Sequence, residues 1–180
     1  RPHWTVCAIH DVAARRPCGR QKKRNLLEMR STIPAELGSE KVYRFSLFVP
    51  ERYPETPRCG VIVAQWKPGG PAGPTVALKL GKQGGRIGFH MTAGVKGRNV
   101  GPVTTFQAKS GRWNDFAVRV RWAQGRDGLV ELTHNGEVRG RKMGANRAGR
   151  KPYRFKIGQY AGKCTVAARS RLIFDDVTAR

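Results

Sequence analysis

Apolar and polar residues alternate over several short stretches of the chain, and this two-residue period dominates its pattern. In one stretch Val118, Val120 and Trp122 alternate with Arg119 and Arg121. Successive side chains of a β-strand point to opposite faces, so this stretch is predicted to be a strand with one core face and one cationic face. Further strands are predicted over residues 42–49, 60–66, 75–80, 85–91, 129–134, 137–139, 153–160 and 171–177. No amphipathic helix of convincing length is predicted.

Turn signals separate these stretches. Asn135-Gly136 predicts a hairpin, because both residues accept the positive φ angles of a type I′ turn. His134, beside this turn, is expected to be exposed. Residues 139–152 carry many cations, several glycines and no apolar period, which predicts a mobile surface loop that is either merely solvated or a clamp for a polyanion. Many short strands separated by turns predict an all-β sandwich, specifically a jelly roll of two antiparallel sheets.

The charge balance changes this picture by suggesting a partner. The chain has 35 Lys and Arg residues against 12 Asp and Glu, a formal net charge of +23. Such a field attracts an acidic glycan, a nucleic acid or an anionic surface by the same Coulomb and counterion-release effects. A basic composition without a specific partner is the alternative, since the cations are scattered along the chain. The length of 180 residues fits one domain, predicted to span residues 1–180.

The sequence lacks the motifs of several classes of functional site. No run of about 20 apolar residues could cross a bilayer, so no membrane partner is expected. A Gly-rich phosphate loop, a Gly-x-Ser-x-Gly elbow and a His-Glu-x-x-His motif are all missing, which leaves nucleotide, esterase and zinc-protease functions unsupported. Cys7, Cys18, Cys59 and Cys164 form no close Cys-x-x-Cys pair. They leave one or two disulfides or free thiols open, and no metal or cofactor is expected.

Three segments carry candidate chemistry. Residues 24–30 read Arg-Asn-Leu-Leu-Glu-Met-Arg, residues 61–67 end in Gln-Trp-Lys, and residues 153–160 read Tyr-Arg-Phe-Lys-Ile-Gly-Gln-Tyr. In this order they resemble the Arg-x-Glu-Leu-Arg, Gln-x-His and Tyr-Phe-Lys-x-Gly-x-Tyr segments of the concanavalin-type jelly-roll polysaccharide lyases. That group holds alginate lyases, glucuronan lyases and lyases of the heparin lyase I type. The third match is the most specific, and in the second Lys67 stands in place of the His.

The resemblance implies a secreted enzyme that cleaves a uronic-acid-containing polysaccharide by β-elimination in a concave cationic groove. It implies that Tyr160 is catalytic and that Gln65 binds the substrate carboxylate. An anionic polysaccharide is therefore the expected partner. The candidate catalytic residues are Tyr160, Gln65, Lys156 and His90. The candidate substrate-binding residues, which include the cationic strand face, are Arg30, Arg24, Glu28, Lys67, Tyr153, Arg119 and Arg121.

The chemistry of this reaction explains why these residue types suit it. The C5 proton of a uronate is weakly acidic, because the adjacent carboxylate is already negative. Cations or amide donors on that carboxylate stabilise the enolate-like charge that develops, and Gln65, Arg30, Lys156 and Lys67 are the candidates. A tyrosine among cations can move the proton, because nearby positive charge lowers its pKa from about 10. Lys156, Gly158 and Tyr160 alternate onto one strand face, where Gly158 leaves room for a sugar.

The general base is the least determined part of this hypothesis, since Lys67 replaces the expected His. His90, on a predicted strand, offers an imidazole with a pKa near neutrality, and a purely structural His90 is the alternative. The same replacement favours a second function, a non-catalytic lectin-like module that binds acidic glycans. A basic nucleic-acid-binding or structural protein ranks third, because the chain has no recognisable motif that reads bases.

Overall fold

The computed structural model describes residues 26–30, 34–51, 53, 60–83, 85–160 and 172–180. Within these residues the chain forms eleven β-strands and no helix. In chain order the strands are β1 (Leu26–Arg30), β2 (Glu40–Val49), β3 (Val61–Pro68), β4 (Val76–Gln83), β5 (Arg86–Ala93), β6 (Gly101–Gln107), β7 (Arg112–Arg121), β8 (Leu129–His134), β9 (Glu137–Met143), β10 (Tyr153–Tyr160) and β11 (Ile173–Ala179).

The strands form two sheets in which every pairing is antiparallel. Sheet A has six strands in the order β1-β10-β3-β4-β5-β6, and sheet B has five in the order β11-β2-β7-β8-β9. Strand β10 lies between β1 and β3, although it is far from both in sequence. The predicted all-β sandwich of two antiparallel sheets is confirmed.

The core lies between the sheets and is built from the apolar half of each alternating strand. Trp66 and Phe155 of sheet A stack with ring centroids 4.9 Å apart, and Tyr43 of sheet B packs edge-on against Trp66 at 5.3 Å. Burial of each such side chain stabilises the fold by about 1.5–3 kcal/mol. The polar half of each strand is thereby directed to the two outer faces of the sandwich.

The predicted strands are confirmed, with three differences. The 129–139 hairpin forms as expected, with φ of 51° at Asn135 and 83° at Gly136. The predicted loop over 139–152 is wrong at its start, because β9 continues to Met143. Strands β1 and β6 were not expected from the pattern. Both β6 and β9 are edge strands with several exposed side chains, so the apolar period that marks a central strand is weak in them.

His134 is buried and not exposed as expected. Only 1% of its surface is accessible, its Nε2 lies 3.0 Å from Asn114 Oδ1, and the rings of Phe89, Phe106 and Phe116 surround it. Its position follows the two-residue period of β8, whose buried face holds Val130 and Leu132 and continues to His134. Burial lowers the pKa of His134 to about 4.

Candidate active site

The outer face of sheet A brings Gln65 and Lys156 together. The two residues are direct partners in the antiparallel pairing of β3 with β10, so they share one face of the sheet. Their neighbours Trp66 and Phe155 are on the core face, which directs Gln65 and Lys156 outward. Gln65 is nevertheless only 4% exposed, while Lys156 is half-buried. An amide and an ammonium therefore lie side by side in a partly enclosed position.

Tyr160 lies on the same outer face, at the far end of β10. It is half-buried and pairs with Ile62 of β3. The register of β10 against β3 shifts between Ile157 and Tyr160, and Gly158, with φ of 148°, lies within this irregular segment. β-Bulges of this kind re-aim side chains and are common next to active sites. Gly158 therefore has a backbone role in addition to the small size noted in the sequence.

Lys67 and Arg154 extend the cationic part of this face in the other direction. They are direct partners in the pairing of β3 with β10, and each lies two residues along its strand from Gln65 or Lys156. Lys67 Nζ also donates a hydrogen bond to the carbonyl of Gly70, at 3.1 Å. Arg154 was not among the predicted site residues, although its alternation with Lys156 along β10 was the signal that could have found it.

Two further predicted site residues lie on β1, and the pairing register of β1 with β10 gives their positions. Arg30 is the backbone partner of Lys156, and Glu28 is the partner of Gly158. Arg24 lies outside the described residues. The first and third sequence motifs are thus neighbouring strands in sheet A, and the second motif, on β3, flanks β10 on its other side.

His90 is on the outer face of sheet A but is not close to Tyr160. A row of paired residues runs from Tyr160 through Ile62, Lys79 and His90 to Thr105. His90 is therefore three strands from Tyr160, or about 14 Å between their backbones. Its Nδ1 lies 2.7 Å from Thr105 Oγ1, and burial together with the positive charge of Lys79 lowers its pKa.

The structure does not bring three of the predicted substrate-binding residues to this face. Arg119 and Arg121 lie on the outer face of sheet B, where their Nε atoms donate to the carboxylate of Glu40 at 2.6 and 3.0 Å. These hydrogen bonds lower the pKa of Glu40. The alternation assigned the two arginines to a solvent face correctly but carried no information on which sheet they join.

Tyr153 is buried in the core and is not available to a substrate. Its hydroxyl accepts a hydrogen bond from the amide of Ala148 at 2.9 Å, and the guanidinium of Arg147 lies 5.3 Å from its ring centroid. Arg147 is itself buried and donates to the carbonyls of Ala35 and Lys151 at 2.8 and 3.0 Å. These contacts of Tyr153 and Arg147 hold the first residues of β10 in place on the core side of sheet A.

The described residues contain no group of three or more His, Cys, Asp or Glu side chains that could hold a metal ion. None of their elements is a helix long and apolar enough to cross a membrane. The chemical groups on the outer face of sheet A are thus an amide, several cations, a phenol and an imidazole. Such a set can bind carboxylates and move protons.

A family model described as polysaccharide lyase matches residues 9–178. No curated protein sequence matches the chain at a significant level.

Among solved structures, an endo-β-1,4-glucuronan lyase from the fungus Trichoderma reesei superposes with a TM-score of 0.69 at 17% identity, over 88% of this chain and 75% of that one. A double mutant of alginate lyase Aly36B in complex with an alginate trisaccharide gives a TM-score of 0.65 at 14% identity, over 86% of this chain and 74% of that one. Alginate lyase PA1167 from Pseudomonas aeruginosa gives 0.60 at 15% identity, over 86% and 73%.

Proposed function

The chain belongs to the polysaccharide lyase family and is an enzyme that acts on polysaccharides, and on that premise we propose that it cleaves a uronic-acid-containing polymer by β-elimination. The observation that carries this proposal is the position of Tyr160 on the same face as the Gln65–Lys156 pair. Solved structures that share the fold are described as glucuronan and alginate lyases, and both of those polymers are polyuronates.

The first step requires a stabilised carboxylate. In the proposed complex Gln65 and Lys156 contact the carboxylate of the uronate whose C5 proton is removed. When that proton leaves, negative charge moves onto the carboxylate oxygens, and donors already in place stabilise it without reorganisation. The low exposure of Gln65 supports this role, because an amide donor that is shielded from water interacts more strongly with developing charge.

The second step transfers the proton and breaks the glycosidic bond. In this proposal Tyr160 takes the C5 proton and returns a proton to the departing O4, while the electron pair of the C5–H bond forms the C4=C5 double bond. The products are a new reducing end and an unsaturated uronate at the other new end. Lys67 and Arg154 would bind further acidic groups of the polymer, whereas His90 is too far from Tyr160 to share its proton.

Tyr160→Phe tests this assignment directly. We expect turnover to fall by about 10²–10⁴-fold, because the group that transfers the proton is lost. The ring and its packing remain, so binding of the polymer should be nearly unchanged. The ultraviolet absorbance of the unsaturated product, followed with glucuronan, alginate, heparin and hyaluronan, measures the turnover. Turnover at the wild-type rate in the variant would refute the role of Tyr160.

The alternative from the sequence, a non-catalytic acidic-glycan-binding module, is favoured by Lys67 at the expected His position, whereas the family match favours an enzyme. Binding to one of the four polymers without any unsaturated product would support this module over the lyase.

We also propose that residues 1–180 act as one domain and that the protein is secreted. The family match over residues 9–178 supports the single domain. A polymeric substrate that does not cross membranes favours an enzyme outside the cell, which fractionation of a producing culture tests.

A further inference from the structure

Lys79 lies on the row that leads away from Tyr160 across sheet A. It pairs with Ile62 on one side and with His90 on the other, and Ile62 pairs in turn with Tyr160. Lys79 is therefore on the outer face, two strand spacings or about 10 Å from Tyr160 along the backbone row. No sequence motif identified this residue.

The described strands around Lys79 carry no negative charge. Strands β3, β4, β5, β6 and β10 contain no Asp or Glu. The ion pairs between described residues involve Glu40, Glu131 and Glu137 of sheet B, and none involves Lys79. The positive charges on this part of sheet A repel one another, and an anionic ligand would offset that repulsion.

The residues beside Lys79 on its face of the sheet are small. On the outer face of β4, the positions two residues away on either side are Ala77 and Gly81. Gly88 of β5 is the partner of Gly81. None of these three positions therefore has a long side chain that would stand between Lys79 and the acidic group of a polymer on this face.

His90 and Thr105 complete the row with groups that suit a sugar. His90 Nδ1 and Thr105 Oγ1 are 2.7 Å apart, which fixes the orientation of the ring. Partial burial, together with the positive charge of Lys79, lowers the pKa of His90, which favours an uncharged ring that does not compete with Lys79 for counter-ions. A neutral imidazole and a hydroxyl are typical hydrogen-bonding partners of sugar hydroxyls.

We propose that Lys79, flanked by His90 and Thr105, binds the carboxylate of a second uronate, about 10 Å along the polymer from the one that Tyr160 deprotonates. This inference rests on the proposed lyase function and extends it. It makes the polymer cross the strands of sheet A, and it assigns Lys79 to substrate positioning rather than to the chemical step. Substrates too short to reach Lys79 do not use this subsite.

The experiment compares Lys79→Gln with the control Arg44→Gln, which removes one positive charge from an exposed position on sheet B. Each protein is assayed with uronate oligomers of increasing length. With the longest oligomers we expect kcat/KM to fall about tenfold in Lys79→Gln, because a charge-assisted hydrogen bond is lost. With the shortest oligomer that is cleaved, it should stay within about twofold of wild type. Arg44→Gln should match wild type at every length, and Lys79→Arg should recover most of the loss.

Two results would overturn the proposal: an equal loss at all lengths, which indicates a role in the chemical step or in folding, and no loss at any length. If wild type cleaves none of the polymers, the proposed function fails by itself, and retardation of the protein in gels containing the polymer still tests the subsite. Weaker retardation of Lys79→Gln than of Arg44→Gln supports the anion site, and equal retardation refutes it. Chemical reduction of the polymer carboxyl groups should abolish the difference, whereas a difference that depends on sulfate groups would contradict a uronate ligand.

Discussion

The two sheets carry similar numbers of cations but differ in their acidic residues. On sheet B, Arg119 and Arg121 share Glu40, and Arg141 pairs with Glu131. On sheet A, Glu28 of β1 is the one acidic residue of the described strands, and β3, β4, β5, β6 and β10 contain none. The cations of these five strands are Lys67, Lys79, Lys82, Arg86, Arg154 and Lys156. Net charge alone favours an anionic partner, and the distribution of acidic residues is the feature from which we infer that sheet A binds it.

The largest expected effect is a difference in kcat/KM between a variant on sheet A and a variant on sheet B. Lys156→Gln should lower kcat/KM by about 10²–10³-fold, because it removes the positive charge beside the carboxylate that gains negative charge in the transition state. Arg119→Gln removes the same charge from sheet B and should leave kcat/KM unchanged. Steady-state rates of formation of the unsaturated product measure both. Equal losses in the two variants would mean that overall charge, and not position, supports the reaction.

A smaller effect contrasts the two histidines. The pKa of buried His134 is lowered from 6.5 to about 4. As the pH falls, the unfolded chain therefore binds a proton before the folded chain does. The free energy of unfolding should decrease by up to about 1.4 kcal/mol per pH unit between these two values, and this contribution is fully present above pH 6.5.

Urea unfolding at a series of pH values measures this contribution. His134→Leu should flatten the dependence, whereas His90→Gln, on the half-buried outer face of sheet A, should leave most of it in place. A wild-type protein whose stability does not change over this range would contradict the buried neutral imidazole.

The smallest effect concerns the ion pairs of sheet B. Glu40→Gln should barely change the free energy of unfolding, since exposed ion pairs contribute little. It would, however, release Arg119 and Arg121 from their shared carboxylate. We expect slightly tighter binding of an acidic polymer at low salt and no increase in turnover. Binding assays over a range of salt concentrations, beside turnover assays, test this; a parallel rise in turnover would place sheet B in the reaction.

Local sequence patterns predicted the hairpin turn and the two faces of individual strands. Asn135-Gly136 specified its turn, and the alternation of Val118 with Arg119 specified the faces of β7. The same alternation would have placed His134 in the core had it been followed to the end of β8. Strand β9 was predicted only as far as Arg139, because its edge position leaves several of its side chains in solvent, which removes the apolar period.

The arrangement of the site depends on strand order, which no local pattern contains. Gln65 and Lys156 are adjacent only because β10 is inserted between β1 and β3, and the family resemblance, not the periodicity, linked them. The distance between His90 and Tyr160 depends on the two strands that separate β5 from β10. Likewise, the cationic face of Arg119 could not be assigned to a sheet until the pairing of β7 with β2 was known.

The insertion of β10 also sets a sequence of events during synthesis. Strands β3 to β6 leave the ribosome well before β10, and during that interval the apolar strand β3 has an open hydrogen-bonding edge. Such an edge can pair with other nascent chains and cause aggregation. When β10 arrives, the same pairing that joins Lys156 to Gln65 closes this edge. We therefore expect completion of the candidate site and protection from misassembly to occur together, and a chain truncated before β10 to be both inactive and prone to aggregate.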